Sequence, residues 1–189
     1  MNKELKMGEV IKFYGISLKD IKIAIFDFDD TLAIHKDSNY VENRKADEDG
    51  YFLKAYENPQ DFFETIEPCT ENTDMKNLVG YCRNEGVSMF CVTGMRFSLH
   101  MPAKAAFIKK HYGDDIELIA SAGQEHKPDV VRILMRHFNV RPEQVMFVDD
   151  MQTTLDILNH DTGIMGVHLS EVKDLKTKYG DTLLEYMDD

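Results

Sequence analysis

Short apolar runs alternate with longer segments at helical spacing along most of this 189-residue chain, and this alternation limits its fold more than any other feature. Five runs rich in β-branched and aromatic residues predict strands at 21–26, 87–92, 116–120, 145–148 and 164–169. Most of them lack the apolar/polar alternation of a half-exposed strand, which favours burial on both faces of a mainly parallel sheet. The sequence therefore predicts an α/β, Rossmann-like fold in which helices flank a mainly parallel five-stranded sheet.

Helical segments are predicted between these strands and after the last one. The clearest is 128–138, where apolar residues recur at helical spacing and Pro128 suits the first helical turn. Right-handed crossovers through such helices bring the carboxyl ends of the strands to one edge of the sheet, where ligands bind in open α/β folds. The other predicted helices are 74–84, 102–111, 152–158 and 172–186.

The segment 33–73 interrupts the alternation. It is mostly polar, its centre is the run Asp47-Glu48-Asp49-Gly50, and it holds one short helical candidate at 59–66. A segment of this length without a strong element of its own is typical of a functional loop. We therefore expect a single domain over 1–189 with a small flap or cap inserted at 33–73.

Charge and composition exclude several classes of protein. Lys and Arg number 22 against 34 Asp and Glu, so the net charge is −12, whereas nucleic-acid binding needs clustered basic residues. No apolar run approaches the roughly 18 to 20 residues that span a bilayer. The chain shows no secretory signal pattern, and its three cysteines form no CxxC pair. We expect a cytoplasmic protein with reduced thiols that binds neither membranes nor nucleic acid.

Carboxylates follow two of the predicted strands. Asp27 and Asp29 come at the end of the first strand, separated by one residue, so the period of two places them on one face. Asp149 and Asp150 follow the fourth strand in the same way. Carboxylates that share a pocket repel one another, and a divalent cation at this edge of the sheet would offset their charge.

Two weaker signals lie between these motifs. Thr93 and Gly94 end the second strand, where a hydroxyl and an adjacent glycine can bind an anion at close backbone approach. Lys127 stands immediately before Pro128 and a predicted helix. Taken alone, turn chemistry explains the first pair and a surface position explains the lysine.

Taken in order, an Asp-x-Asp-x-Thr motif, a Thr, a Lys-Pro pair and an Asp-Asp pair resemble the haloacid dehalogenase superfamily of Mg²⁺-dependent phosphotransferases. The resemblance covers about residues 21–169. It implies that Asp27 is the nucleophile that attacks the phosphoryl group and forms an aspartyl phosphate. It also implies that Asp29 is the general acid/base, which protonates the leaving oxygen and then activates water.

The same resemblance implies a Mg²⁺ site. The expected metal ligands are Asp27, the backbone carbonyl of Asp29, and Asp149, while Asp150 binds the metal through water or pairs with Lys127. The chemistry supports this set independently, because Mg²⁺ takes about six oxygen ligands, of which one or two are protein carboxylates.

The implied phosphate-binding residues are Thr93, Gly94 and Lys127, since phosphoryl transfer needs mainly positioning and charge neutralisation. Thr31, at the end of the first motif, and the presence of a second Asp after the nucleophile favour the phosphatase branch of the family. Arg96 is a candidate for pairing with a second anion on the substrate.

The implied activity is Mg²⁺-dependent hydrolysis of a phosphomonoester. Because the insertion is small, the expected substrate is a phosphorylated small molecule or an exposed phosphate ester on a larger one. One alternative is a polynucleotide 3′-phosphatase on the same scaffold, which the net charge disfavours. Another is a phospho-accepting signalling module of the receiver type, in which the Asp pair comes first in the chain, whereas here it comes last.

Overall fold

The structure, a computed structural model, describes residues 17–35, 57, 59–69, 73–94 and 98–186. A five-stranded parallel sheet forms the centre of this part of the chain, with strand order β5-β4-β1-β6-β7. The predicted α/β fold is confirmed, and the strand ends fall within two residues of those predicted. In chain order the strands are β1 (Ile23–Phe26), β2 (Ala33–His35), β3 (Ile66–Pro68), β4 (Ser88–Gly94), β5 (Ile116–Ser121), β6 (Val145–Asp149) and β7 (Met165–His168).

The central strands are buried on both faces, as their unbroken apolar sequences predict. Every residue of β1 and β6 is buried. Alternate residues of β1 enter different apolar clusters, with Ala24 and Phe26 on one side of the sheet and Ile23 and Ile25 on the other. Two layers of core therefore hold the ends of these strands in place.

Helices connect the strands much as predicted. The helix predicted at 152–158 is longer than expected and runs to Thr162, where Gly163 ends it in the left-handed conformation with φ 73°. In chain order the helices are α1 (Pro59–Glu64), α2 (Thr73–Asn84), α3 (Met101–Tyr112), α4 (Lys127–Phe138), α5 (Gln152–Thr162) and α6 (Leu183–Tyr186).

The prediction of one helix over 172–186 is wrong. A 3₁₀ segment, Leu169–Asp174, is followed by extended chain, in which Lys176 forms isolated bridges with Ser17 and Thr182. Gly180 has φ 96°, a conformation that a helix does not contain, and α6 begins only at Leu183. The apolar spacing of this segment instead serves packing, because Val172, Leu175 and Leu183 all enter the core.

The insertion is described only in part. Its helical candidate at 59–66 is present as α1, which ends at Glu64, because β3 begins at Ile66 and pairs antiparallel with β2. The sequence did not predict this two-stranded sheet. The remainder of the expected flap or cap lies outside the described residues, so the extent of the insertion stays a prediction.

Strand order also locates a switch point. From β1 the chain adds β4 and β5 on one side and then β6 and β7 on the other, so the direction of winding reverses beside β1. Ligands bind at such a point, outside the carboxyl ends of the strands. Numbered by the main sheet alone, the order is 3-2-1-4-5, whereas receiver domains have 2-1-3-4-5. This order argues against the receiver-type alternative.

Within the described ranges, no helix combines the length and the apolar character needed to cross a membrane.

Candidate active site

Asp27 and Asp149 lie side by side at the switch point. The β1/β6 pairing ends at Phe26 and Val148, and the Asp27 amide still donates to the Val148 carbonyl at 2.9 Å. Asp149 is the last residue of β6. Asp27 is 3% exposed and Asp149 is fully buried, so two carboxylates are held at the base of the edge where ligands bind.

A tight turn follows Asp27 and places Asp29. The amides of Leu32 and Ala33 both donate to the Phe28 carbonyl, at 3.0 and 2.9 Å. Asp30 closes the turn with φ 57°, a left-handed conformation that Asp tolerates better than most residues. Asp29 lies close enough to Asp27 for its charge to contribute to raising the pKa of that carboxyl.

Lys127 joins the two buried carboxylates. It is the first residue of α4, it is fully buried, and its Nζ lies 2.9 Å from Asp27 Oδ1 and 2.8 Å from Asp149 Oδ2. Burial alone would lower the pKa of this ammonium, but the two carboxylates raise it above its ordinary value. Lys127 therefore stays positively charged beside the predicted nucleophile.

Burial makes Asp27 itself hard to ionise. Burial, opposed by Lys127 and assisted by the charges of Asp149 and Asp29, raises its pKa from 3.8 to about 7. Among the residues that the structure describes, none donates a hydrogen bond to its second oxygen, Oδ2. A cation at this oxygen would favour the carboxylate form that a nucleophile requires.

The carboxylates fit a hard divalent cation. Ligand atoms of Asp27, Asp149 and Asp150 lie within 4.8 Å of one another, and all are carboxylate oxygens, which Mg²⁺ prefers. The cluster differs from the predicted ligand set by including the Asp150 side chain, whereas Asp29 was expected to bind through its backbone carbonyl. Lys127 forms its hydrogen bonds with Asp27 and Asp149.

The loop that carries Asp150 is held from the neighbouring strand. His168, at the end of β7, contacts the Asp150 carbonyl through Nε2 at 2.9 Å, while its Nδ1 accepts the Ser170 amide at 3.3 Å. This pattern requires the tautomer with the proton on Nε2. The sequence analysis did not identify His168, because its role depends on the pairing of β6 with β7.

Sequence analysis also missed Lys104, a buried lysine of α3. Its Nζ donates to Asp29 Oδ2 at 2.7 Å and to Thr93 Oγ1 at 2.9 Å. The sequence contains a signal, because Lys104 stands three and four residues before Phe107 and Ile108 and so shares the buried face of α3 with them. A lysine at such a position is expected to have an acidic partner.

Of the remaining predicted site residues, three lie within the described part of the chain and one lies outside it. Thr93 is fully buried at the end of β4, next to Gly94, and an alanine Cβ at Gly94 would make only ordinary contact, 3.5 Å from the Gln124 amide nitrogen. Thr31 is also fully buried, and its hydroxyl has no hydrogen-bond partner among the described residues. Arg96 lies outside the described residues. The catalytic and binding roles of all these residues stay predictions.

No protein-family model and no curated protein sequence matches the chain. Solved structures resemble it at low identity. The N-terminal part of BF1531 from Bacteroides fragilis, containing a phosphatase domain and complexed with Mg, is 15% identical with a TM-score of 0.56. That match covers 85% of this chain but 42% of the other.

Two further structures align over most of their own length. A phosphoserine phosphatase in a phospho-aspartyl intermediate analogue form is 16% identical, with a TM-score of 0.54, over 90% of this chain and 99% of that one. A protein described as a haloacid dehalogenase-like hydrolase from Bacteroides fragilis is 14% identical, with a TM-score of 0.53, over 77% and 86%. The chain therefore has the haloacid dehalogenase-like fold, as the order of its motifs implied.

Proposed function

We propose that the protein is a Mg²⁺-dependent phosphomonoester hydrolase that acts through an aspartyl phosphate on Asp27. One observation carries the proposal: a fully buried Lys127 bridges Asp27 and Asp149 within a carboxylate cluster at the switch point of the sheet. Among proteins of the same fold, one is a phosphatase domain complexed with Mg and another is a phosphoserine phosphatase in a phospho-aspartyl form. Both support the proposed chemistry.

The proposed reaction has two displacement steps. Asp27 attacks phosphorus through a carboxylate oxygen, the bond from phosphorus to the ester oxygen breaks, and that oxygen takes the proton of Asp29. Asp29, now ionised, takes a proton from a water molecule, whose oxygen attacks the phosphorus of the aspartyl phosphate. The bond to Asp27 breaks, inorganic phosphate leaves, and both side chains return to their starting states.

Charge decides whether the first step can begin, because an anionic carboxylate must approach an anionic phosphate. Lys127 lies against the proposed nucleophile and offsets part of this charge, and in the proposed reaction Thr93 and Gly94, at the end of β4, donate to the phosphoryl oxygens. Bound Mg²⁺, held by Asp27, Asp149 and Asp150 with the Asp29 carbonyl as a further ligand, would supply the remaining positive charge.

The proposed substrate is a phosphorylated small molecule or an exposed phosphate ester on a larger one. The small size of the insertion at 33–73 supports an open site, and the net charge of −12 disfavours nucleic acid. A cytoplasmic location remains part of the proposal.

Hydrolysis of p-nitrophenyl phosphate tests the proposal. We expect activity with Mg²⁺, loss of activity in EDTA, and a loss of at least about 10³-fold in Asp27→Asn, which lacks the nucleophile. Asp114→Asn is the matched control, because it makes the same change at an exposed side chain. Equal activity in Asp27→Asn and wild type would overturn the proposal.

A panel of phosphorylated metabolites together with a 3′-phosphorylated oligonucleotide then separates the substrate classes. Preferential hydrolysis of the oligonucleotide would favour the polynucleotide 3′-phosphatase instead.

A further inference from the structure

The role of Lys104 lies outside the predicted family motifs. Its side chain is 5% exposed and lies on the face of α3 that also carries Phe107 and Ile108. Burying an ammonium group is costly unless it is paired and hydrogen-bonded, and an apolar side chain of similar size would fill the same space at no such cost. The position therefore calls for the charge and the donors of lysine and not only for its volume.

The partners of Lys104 come from two separate strands. Its Nζ lies 2.7 Å from Asp29 Oδ2, on the turn after β1, and 2.9 Å from Thr93 Oγ1, at the end of β4. The same ammonium stands 4.4 Å from the centroid of the Phe28 ring, which limits where it can move. Lys104 thus ties the predicted general acid/base to a predicted phosphate-binding residue.

This contact orients the Thr93 hydroxyl. Lysine has no acceptor, so Thr93 Oγ1 must accept from Lys104, and its own proton points elsewhere. Within the described part of the chain, the hydrogen bond that this hydroxyl donates is to the Gly94 carbonyl at 3.5 Å, which is at the limit of a hydrogen bond. The hydroxyl proton is therefore available to an oxygen of a bound phosphoryl group.

The same contact orients Asp29. With Oδ2 held by a buried donor that also contacts Thr93, the position of this carboxylate oxygen is restrained relative to Thr93. Proton transfer to a leaving oxygen depends steeply on such placement, and a displacement of about 1 Å can cost about 10²-fold in rate.

We propose that Lys104 is a positioning residue of the phosphatase site, which aligns Asp29 with the leaving oxygen and Thr93 with the phosphoryl group. The inference rests on the proposed function. It assigns different duties to the two buried lysines: Lys127 contacts the nucleophile, and Lys104 contacts the acid/base.

The decisive variant is Lys104→Met, which keeps most of the volume and removes the charge. Lys109→Met, at an exposed position of the same helix, is the matched control. Lys104→Gln serves as a second neutral variant if the methionine variant does not fold, and urea unfolding checks each protein.

Comparison of two substrates with different leaving groups separates a positioning role of Lys104 from a general loss of activity in the variant. An alkyl phosphate such as glycerol phosphate needs a proton on its leaving oxygen, whereas p-nitrophenolate leaves readily without one. We expect kcat/KM of Lys104→Met, which reports the step that releases the alcohol, to fall about 10²-fold on the alkyl ester and about 10-fold or less on the aryl ester. Equal losses on both esters, or none, would overturn the assignment.

Binding of inorganic orthovanadate in the presence of Mg²⁺ provides a readout that needs no turnover. Misalignment of Thr93 is expected to weaken binding about 10-fold in Lys104→Met and not in Lys109→Met. Unchanged affinity would overturn the role at Thr93.

The two proposals can fail separately. If the wild type hydrolyses neither ester yet binds vanadate, the proposed hydrolase falls and the vanadate comparison alone decides on Lys104. If the wild type shows neither hydrolysis nor vanadate binding, both proposals are overturned.

Discussion

The charge state of a single carboxyl group, that of Asp27, links stability to the proposed chemistry. Burial is the largest cause of its raised pKa, and Lys127 offsets only part of that effect. The surrounding side chains therefore hold the predicted nucleophile in an environment that favours the protonated form at mildly acidic pH. Burying a carboxyl group in this way lowers the stability of the fold. Carboxyl groups with a pKa raised by burial are typical of functional sites.

This pKa predicts a specific dependence of stability on pH. Between pH 3.8 and about 7 the folded state keeps a proton on Asp27 that the unfolded state releases, so the contribution of Asp27 to stability is lost as the pH rises. In EDTA, the free energy of unfolding of wild type should therefore fall relative to that of Asp27→Asn across this range and level off above it. Urea titrations at several pH values measure the difference.

Excess Mg²⁺ should flatten this pH dependence, because the cation favours the carboxylate. Parallel stability profiles for wild type and Asp27→Asn in EDTA would contradict the predicted pKa.

For single residues of the candidate site, the acidic side chains were easier to predict from the sequence than the buried lysine Lys104. Asp27, Asp29, Asp149 and Asp150 follow apolar strands directly, so local patterns brought them to one edge. Lys104 lies in a helix, and its acidic partner stands 75 residues earlier in the chain, so only the tertiary structure brings the two together.

Among the elements, β7 and α5 pack closely against each other. Gly166 of β7 faces Leu155 of α5, and an alanine Cβ at this glycine would lie 3.1 Å from the Leu155 Cβ. The strand is therefore held close to the helix, which helps to set the end of β7 and with it His168.

Gly166→Ala should consequently destabilise the protein by about 1 kcal/mol. Replacing glycine with alanine lowers the entropy of the unfolded chain and gains about 0.4 to 1 kcal/mol, but overpacking costs about 1 to 3 kcal/mol and outweighs it. Urea unfolding measures the change. Unaltered or increased stability would show that α5 can shift away from the strand without cost.

Elements were predicted well where their sequence pattern is strong. The strands of the main sheet are short apolar runs and helices α2 to α5 have apolar residues at helical spacing, whereas the segment 172–186 combines such spacing with a glycine in a left-handed conformation. Strands β2 and β3 have three residues each, too short for a pattern of their own, and they form because the ends of the insertion meet.

For the whole molecule, the important quantity is how the charge is distributed. The net charge is −12, and four carboxylates of the candidate site, Asp27, Asp29, Asp149 and Asp150, face two lysines, Lys104 and Lys127. With all four carboxyl groups ionised, one divalent cation would make this group neutral. Metal binding should therefore stabilise the folded protein beyond general screening.

Thermal unfolding with added MgCl₂ tests this prediction. At about 100 times its Kd, a ligand specific for the folded state adds about 2.7 kcal/mol. For a chain of this size, that corresponds to a rise in Tm of roughly 5 to 10 °C. NaCl at matched ionic strength is the control for screening, and an equal rise with both salts would argue against a specific site.

The contacts of Lys127 also have a consequence for how the protein assembles. Lys127 and Asp27 are 100 residues apart along the chain, and Asp149 follows later still. Contacts of such long range close late, since the intervening loop entropy must be lost first. Any folding intermediate in which β6 has not yet paired with β1 therefore has neither the Asp149 carboxylate nor the fixed Lys127 ammonium beside Asp27. Pairing of β6 with β1 therefore completes the candidate cation site, so metal affinity is expected to report that this pairing has formed.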